Sequence, residues 1–566
     1  MRRPKRGWTA GVLALALTTT GCATATAAGP CPFQEIDIAK YGRRPFENPP
    51  DERAQGGRLK TTLIVRYTDA ATTSLGGCPL TLRSYNGQLV GPTLRLKPGE
   101  VLDVALQNRL PRETPAQVAA QIGQEASQAF IETRPHSFNT TNLHTHGLHV
   151  SPVGNSDNVL LAIPPQTDFP YEIKVPSNHP PGSFWYHAHT HGSTAIQVGS
   201  GMAGALIIED DEAKIPPTLR EANKREKVFV FQTILYDADG KVDDITAFFP
   251  DSAATEKLCR EGKSGCTWQH SKRRTTINGQ IVPVIRMRPG EVQRWRLIDA
   301  GFRETIDVRL EGHTLYEIAL DGLYLGRIDP WGPQQSVSLQ PGYRSDVLVQ
   351  ASRTRGTYRL IDVPTVAGAA LRGVAEREAL LAEVIVEGEP LDMALPTNQQ
   401  MAALAPFPGL DLKSLADGVQ TAVFKLGSAA DPKDQRNYFQ INYRAFSPSQ
   451  VRTVRLGAID MWTLTTVGDP PGIANGIPPL PHVFHIHVNP FQVTRQDPSG
   501  QPETVWRDTV LIPAGQTVNV FTRYLDYIGQ FVMHCHILDH EDLGMMEVVE
   551  VVGEQPLSAL PAHGSH

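Results

Sequence analysis

Short runs in which apolar and polar positions alternate recur along this chain. Val101-Leu-Asp-Val-Ala-Leu106 and Val292-Gln-Arg-Trp-Arg-Leu297 are clear cases. A period of two places apolar side chains on one face of a strand, so each run predicts a strand in a sheet. Each follows a Pro-Gly-Glu turn inside a longer repeat. Asn86-Gly-Gln88 leads to Pro92-Thr-Leu-Arg-Leu-Lys-Pro-Gly-Glu-Val101, and Asn278-Gly-Gln280 leads to Pro283-Val-Ile-Arg-Met-Arg-Pro-Gly-Glu-Val292. A fainter third echo runs through Ile441-Asn442, Val454-Arg-Leu456 and Asp460-Met-Trp462. Copies this far apart mark duplicated domains rather than a solenoid. Short alternating strands with Gly and Pro turns read as β-sandwiches, and the 45 prolines and 48 glycines suit that fold. Residues 113–130 have helical composition and read as an insertion before the strand at 144–146.

The chain's 566 residues are too many for one core and suggest three or four domains at roughly 150 residues each. A net charge of -6 with interspersed signs offers no basic patch for nucleic acid. The N-terminus reads as an export signal over residues 1–28. Met1-Arg-Arg-Pro-Lys-Arg6 is a basic opening, and Gly11-Val-Leu-Ala-Leu-Ala-Leu17 is an apolar run too short to span a bilayer. Thr19-Thr-Gly-Cys22 resembles a bacterial lipoprotein box with Thr where Leu is usual. Either Cys22 carries a lipid anchor, or cleavage follows an Ala near 23–28. Arg2-Arg3 lacks the rest of a twin-arginine motif. The expected location is periplasmic or otherwise extracytoplasmic, with contact to a membrane only through Cys22. In such an oxidising compartment Cys31, Cys78, Cys259 and Cys266 read as disulfide partners. Cys259 and Cys266 bracket a polar loop, and Cys31 is placed to tie to Cys78. Zinc is the rival reading, but the flanking sequence offers no fitting second pair.

The chemistry concentrates in four motifs. Near the C-terminus the chain reads His534-Cys535-His536-Ile-Leu-Asp-His540-Glu541, with Met545 beyond. On a strand His534 and His536 project one way and Cys535 the other. Upstream, in His482-Val-Phe-His485-Ile-His487, the last two histidines share a face and His482 has the opposite parity. His482, Cys535 and His540 thus form a trigonal set with Met545 as weak axial thioether, the ligand signature of blue copper. His144-Thr-His146 and His187-Ala-His189 add two more pairs, so that eight histidines remain, enough for three metal ions. One His-x-His is more often a surface pair or a satisfied core histidine than a ligand; four, one with Cys at its centre, exceed chance. Of the 18 histidines ten lie in these motifs. His136, His149, His179, His191, His270, His313, His563 and His566 default to structural or solvated roles. His149 and His191 are near enough to support ligands.

These motifs resemble those of the multicopper oxidases, the laccase-like three-domain type, over blocks 140–209, 276–350 and 480–549. The resemblance implies an all-β chain of three cupredoxin-like Greek-key β-sandwich domains, at 55–212, 213–392 and 418–553, with 393–417 as linker. The second would hold no copper ligand and bridge the others. It implies four copper ions. Type 1 copper falls at His482, Cys535, His540 and Met545, and type 2 at His144 and His485. The type 3 pair falls at His146, His187, His189, His487, His534 and His536. It further implies a small-molecule reductant that yields single electrons, and O2 reduced to water at the trinuclear cluster. Protons need carboxylate relays, and Glu541 and Asp157 resemble acidic positions of bacterial laccases; the alternative for each is a solvated loop carboxylate.

A laccase-like oxidase of phenols and aromatic amines is the expected function, working as a monomer. The alternative is a metal oxidase of Cu(I), Fe(II) or Mn(II) in copper tolerance. Thioether-rich loops would favour Cu(I), but the chain has nine Met and no run beyond Met545-Met546. A copper carrier without turnover needs only the Cys535 site and leaves eight histidines unexplained. A copper nitrite reductase likewise has no use for the type 3 set.

Overall fold

The repeat in sequence is a repeat of backbone conformation. In the computed structural model Asn86, Asn278 and Asn442 have φ of 57°, 55° and 52°. Each opens a tight turn closed by a backbone hydrogen bond: Gln88 N to Tyr85 O, Gln280 N to Ile277 O, and Arg444 N to Ile441 O, at 3.0, 2.8 and 3.1 Å. Each Asn side-chain oxygen accepts from the N–H of a neighbouring strand, at Ile64, Val230 and Val423. Two successive residues with positive φ define the turn that favours Asn-Gly. The third copy has Tyr443 in the glycine position, at φ 62°. That substitution makes the sequence echo faint while the geometry persists.

Each turn feeds the same strand pairing. Arg58–Tyr67 runs parallel to Val101–Asn108, Lys227–Gln232 to Val292–Asp299, and Gly418–Leu426 to Ile459–Val467. In the facing sheets Thr93–Leu96 is parallel to Ala203–Ile208, Val284–Met287 to Ala379–Val386, and Val451–Arg455 to Met546–Val552. Among the described residues six sheets of four to six strands result, two per sandwich, beside one two-stranded ribbon, and most other pairings are antiparallel. The chain is all-β, three cupredoxin-like Greek-key sandwiches in succession. The structure describes residues 35–122, 132–242, 268, 271–407, 409–410, 418–427, 439–469 and 476–553. The export signal with Cys22, together with Cys31, Cys259 and Cys266, lies outside the described residues. Within the expected insertion, Pro115–Ile122 is helical.

Val101–Asn108 alternates as its pattern predicts and buries Leu102, Val104 and Leu106. Val292–Asp299 does not, for all eight of its residues are buried. Trp295 and Leu297 face the core of the middle sandwich. Arg294 and Arg296 instead meet the first sandwich and its exit. Arg294 bonds Asp346 at 2.5 Å and Asp210 at 2.7 Å; Arg296 bonds Glu226 and the Ser183 hydroxyl. Buried charges persist only when paired, so this alternating strand reads as half exposed yet serves as a domain junction.

Tyr443 generates a prediction. A left-handed backbone costs an L-residue about 1–2 kcal/mol that glycine avoids. The exposed ring returns a cation–π contact with Lys425 at 5.6 Å, worth about 0.5–1 kcal/mol at such a site. Tyr443→Gly should therefore raise the unfolding temperature of the third sandwich in scanning calorimetry; a lowered one contradicts the strain.

Candidate metal centre

Two neighbouring strands assemble the C-terminal residues. His482–Ile486 pairs antiparallel with Gly529–Cys535, with Phe484 opposite Cys535 and His485 opposite His534. Alternation therefore sends His482 to the Cys535 face and His485 to the His534 face. On the first face Cys535 Sγ lies 3.5 Å from His482 Nδ1 and 3.8 Å from His540 Nδ1, and those nitrogens are 3.3 Å apart. His540 sits on the short helix Leu538–Asp542. Buried Met545 follows it; its N–H donates to His540 O and its carbonyl accepts from Cys535 N. Burial pushes the Cys535 thiol up to about 12, so a thiolate there needs a cation beside it. Burial also holds His482 and His540 well below the usual imidazole value. Neutral imidazoles around a buried sulfur are the donor set that suits copper.

The opposite face meets the first sandwich. His144–His146 pairs with Gly182–His187, with His144 opposite His187 and Trp185 opposite His146. The strand ends at His187, so His189 is not carried to the site by strand alternation. Its N–H instead donates to Asn142 Oδ1 at 2.7 Å, and Asn142 is itself tied to the carbonyls of Val159 and Leu161. His487 and His536 likewise lie just past their strands' ends. Rings from the two sandwiches then stack: His144 on His487 at 4.0 Å and His146 on His485 at 3.9 Å between centroids. His189 Nε2 stands 3.2 Å from His534 Nε2.

All eight histidines are buried. His144 Nε2, His146 Nδ1, His187 Nε2, His485 Nε2 and both ring nitrogens of His487 and His536 have no hydrogen-bond partner among the described residues. Three triplets, His189-His487-His534, His144-His146-His187 and His144-His485-His487, each bring ligand atoms within 4.8 Å of one another. Burial lowers seven of these imidazoles: His189 to about 4, His485 to about 3, and His144, His146, His187, His487 and His536 well below the usual imidazole value. Neutral rings with inward lone pairs and no proton partner are what copper ions require. The donor set fits.

Carboxylates line the outer side of the rings. Asp157 Oδ1 lies 3.0 Å from His144 Nδ1 and accepts from Thr145 N at 2.8 Å. Burial lifts its carboxyl to about 7 despite the Thr145 bonds. Glu541 Oε1 is 3.4 Å from His189 Nδ1, Oε2 is 3.0 Å from His534 Nδ1, and the Thr194 hydroxyl donates to Oε1. Burial would raise Glu541, but the His189 and His534 rings outweigh it and bring the carboxyl down to about 2. Both are buried, unlike solvated loop carboxylates. His149 and His191 support the site less directly than their positions suggest. His149 bonds the carbonyl of Val488, next to His487, and His191 bonds the Glu132 carbonyl.

Three buried residues here carry no signal in the sequence. Asp508 Oδ1 is 3.2 Å from His146 Nε2, and Asp508 O accepts from His485 Nδ1 at 2.8 Å. Thr509 sits opposite His485 in the adjacent strand. Asp542 accepts from the N–H groups of Gly192, Thr194 and Ala195, pinning the loop after His189 to the helix that carries His540. None lies at a telling spacing from a histidine motif, because sheet register and domain packing create the contacts.

Three family models described as multicopper oxidase match residues 122–213, 245–377 and 420–555. A Staphylococcus aureus protein named multicopper oxidase mco is 23% identical over 478 residues, covering 82% of this chain and 83% of the relative. A Bacillus subtilis laccase is 24% identical over 512 residues, covering 84% and 90%. Among solved structures, a Campylobacter jejuni multicopper oxidase aligns at TM-score 0.67 and 20% identity, over 93% of this chain and 99% of that one. A Pediococcus acidilactici multi-copper oxidase aligns at 0.66 and 21%, over 92% and 93%. The chain belongs to the multicopper oxidase family, copper-binding oxidoreductases that take electrons from small-molecule substrates and use O2.

Proposed function

We propose that this protein is a laccase-like oxidase of phenols and aromatic amines that holds four copper ions. In this reading His482, Cys535, His540 and Met545 bind type 1 copper, and His144 and His485 bind type 2. His146, His187, His189, His487, His534 and His536 bind the type 3 pair. The observation that carries it is the convergence of unpartnered, buried imidazole nitrogens beside the Cys535 strand. Copper bound there supplies one-electron chemistry, through which four substrate electrons reduce one O2 to two waters.

The chain's own residues do the rest. Cys535 is covalently continuous with His534 and His536, so a few bonds join the thiolate face to the imidazole face. Glu541 stands 3.4 and 3.0 Å from the outer Nδ1 atoms of His189 and His534, the Cys535 carbonyl lies 3.1 Å from the same His534 nitrogen, and the two inner Nε2 atoms face each other. Thr194 donates to the same carboxylate and links it to the loop from the first sandwich. Asp157 holds Nδ1–H of His144 in the same manner, and its carboxyl, near 7, exchanges a proton readily at neutral pH. These two carboxylates form the proton relay of the proposal.

The choice of substrate rests on relatives and on composition. Relatives from Bacillus subtilis and Bacillus stratosphericus are named laccases, and an Ochrobactrum neighbour is described as active towards lignin model compounds. The Campylobacter jejuni neighbour is described as a metallo-oxidase, so oxidation of Cu(I), Fe(II) or Mn(II) is the competing outcome. Oxygen uptake by copper-loaded protein, with a phenol and each metal ion in parallel, separates them. The proposal predicts fastest uptake with the phenol; uptake with a metal ion alone contradicts it. Cys535→Ser should abolish the blue colour and the uptake together, and a blue, active variant would overturn the type 1 assignment. Glu541→Gln should slow reoxidation by O2 by about 100-fold while leaving anaerobic bleaching by the phenol unchanged. Equal losses in both half-reactions would reduce Glu541 to a structural role.

A further inference from the structure

Among the described residues the middle sandwich contributes no histidine to the centre, yet one of its side chains reaches the junction of all three sandwiches. Arg344 is fully buried, and all five of its guanidinium N–H groups are used. Nε donates to Ser183 O in the first sandwich. Nη1 donates to Gly342 O and Asp508 Oδ1, and Nη2 to Asp321 O and Asp508 Oδ2. The pair with Asp508, in the third sandwich, is bidentate at 2.8 and 2.5 Å. Such a fork fixes a carboxylate in plane and register.

Asp508 in turn stands against His146. Its Oδ1 lies 3.2 Å from His146 Nε2 and accepts the Thr509 hydroxyl proton at 2.7 Å. That hydroxyl oxygen is 3.2 Å from His146 Nε2 as well. With its proton committed to Asp508, the hydroxyl can only accept from the ring. A carboxylate held by a guanidinium fork also only accepts. His146 Nε2 must therefore carry the ring proton, which leaves the lone pair on Nδ1, an atom with no partner among the described residues, in a ring that groups with His144 and His187 within 4.8 Å. His144 is held the opposite way, with Nδ1 on Asp157 and Nε2 bare.

Two glycines show how closely the clamp is fitted. Gly147 has φ 89°, and a Cβ there would overlap both the Arg344 guanidinium and the Asp508 carboxylate. Gly342, whose carbonyl accepts from Arg344, has φ 90°, and a Cβ there would lie 3.0 Å from the His536 ring. The turn that leads into Arg344, the first residue of the strand Arg344–Gln350, thus abuts the histidine cluster directly.

We infer that Arg344, acting through Asp508, is a positioning residue that sets which nitrogen of His146 faces the copper cluster. It thereby ties ligand chemistry to the docking of three sandwiches. The inference rests on the proposed copper reading of His146. Outer partners of this kind fix tautomer and ring orientation, and their loss typically costs about 10–100-fold in metal affinity.

Two measurements test it on the full chain. Nitrogen-15 NMR of histidine-labelled, metal-free protein reads each ring's tautomer, with His146 assigned from the signals lost in His146→Asn. A proton on Nε2 is expected; a proton on Nδ1 overturns the inference whatever the variants do. Arg344→Lys and Asp508→Asn are then titrated with copper. Affinity at the imidazole cluster should fall about 10–100-fold, while the blue absorption of the Cys535 site persists and reports an intact third sandwich. Undiminished cluster affinity in both variants overturns the inference while the copper reading stands. Wild-type protein that binds copper only at Cys535 overturns the copper reading itself, and the inference with it. Should neither variant keep the blue absorption, the wild-type tautomer decides.

Discussion

A buried imidazole nitrogen without a partner costs on the order of 1–3 kcal/mol, and this protein gathers eight such atoms on six histidines at one junction. That concentration is the constraint on which the rest of the structure depends. The burial that makes it costly also keeps the rings neutral, so that their lone pairs stay available. Metal ions placed among those lone pairs reverse the penalty, and the binding free energy becomes folding free energy. The first and third sandwiches must therefore dock closely enough to stack His144 on His487 and His146 on His485.

Docking of that accuracy is supplied by buried ion pairs rather than by apolar contact alone. Arg294 and Arg296 join the middle sandwich to Asp210 and Ser183. Arg344 and Arg507 join it to the third through Asp508 and Asp321. Removing one partner of such a pair strands a charge, at about 3–5 kcal/mol. These pairs resist rearrangement and fix the register of the domains. Carboxylates serve the same end at the rings: Asp157 and Asp508 each meet one nitrogen of a ring whose other nitrogen has no partner among the described residues, and Glu541 stands beside the outer nitrogens of His189 and His534.

Much of this was legible in the sequence because strand parity is a strict rule. It separates His482 and Cys535 from His485 and His534 without any structure. The alternating runs and the Gly and Pro turns predicted sandwiches for the same reason, and the third copy was faint because Tyr443 replaces glycine and no Pro-Gly-Glu turn follows. Parity stops where strands stop. His189 reaches the cluster through a loop held by Asn142, and His487 and His536 sit one residue past their strands, where their N–H groups donate to the carbonyls of Val532 and Val483. Asp508, Thr509 and Asp542 were invisible because each acts across a sheet or a domain boundary on a residue far away in the chain. Val292–Asp299 misled in the other direction: its polar face is buried against another domain, which a single strand's pattern cannot reveal.

Membership of the multicopper oxidases makes copper the expected metal, but the central claim concerns how this chain distributes it. Two faces of one strand pair are held to bind copper separately, one at Cys535 and three among the eight histidines. Anomalous diffraction at the copper absorption edge, on crystals of the copper-loaded protein, tests this most directly. The account predicts four peaks, one beside Cys535 Sγ and three enclosed by the histidines. A single peak at Cys535 with an empty histidine cluster would contradict it.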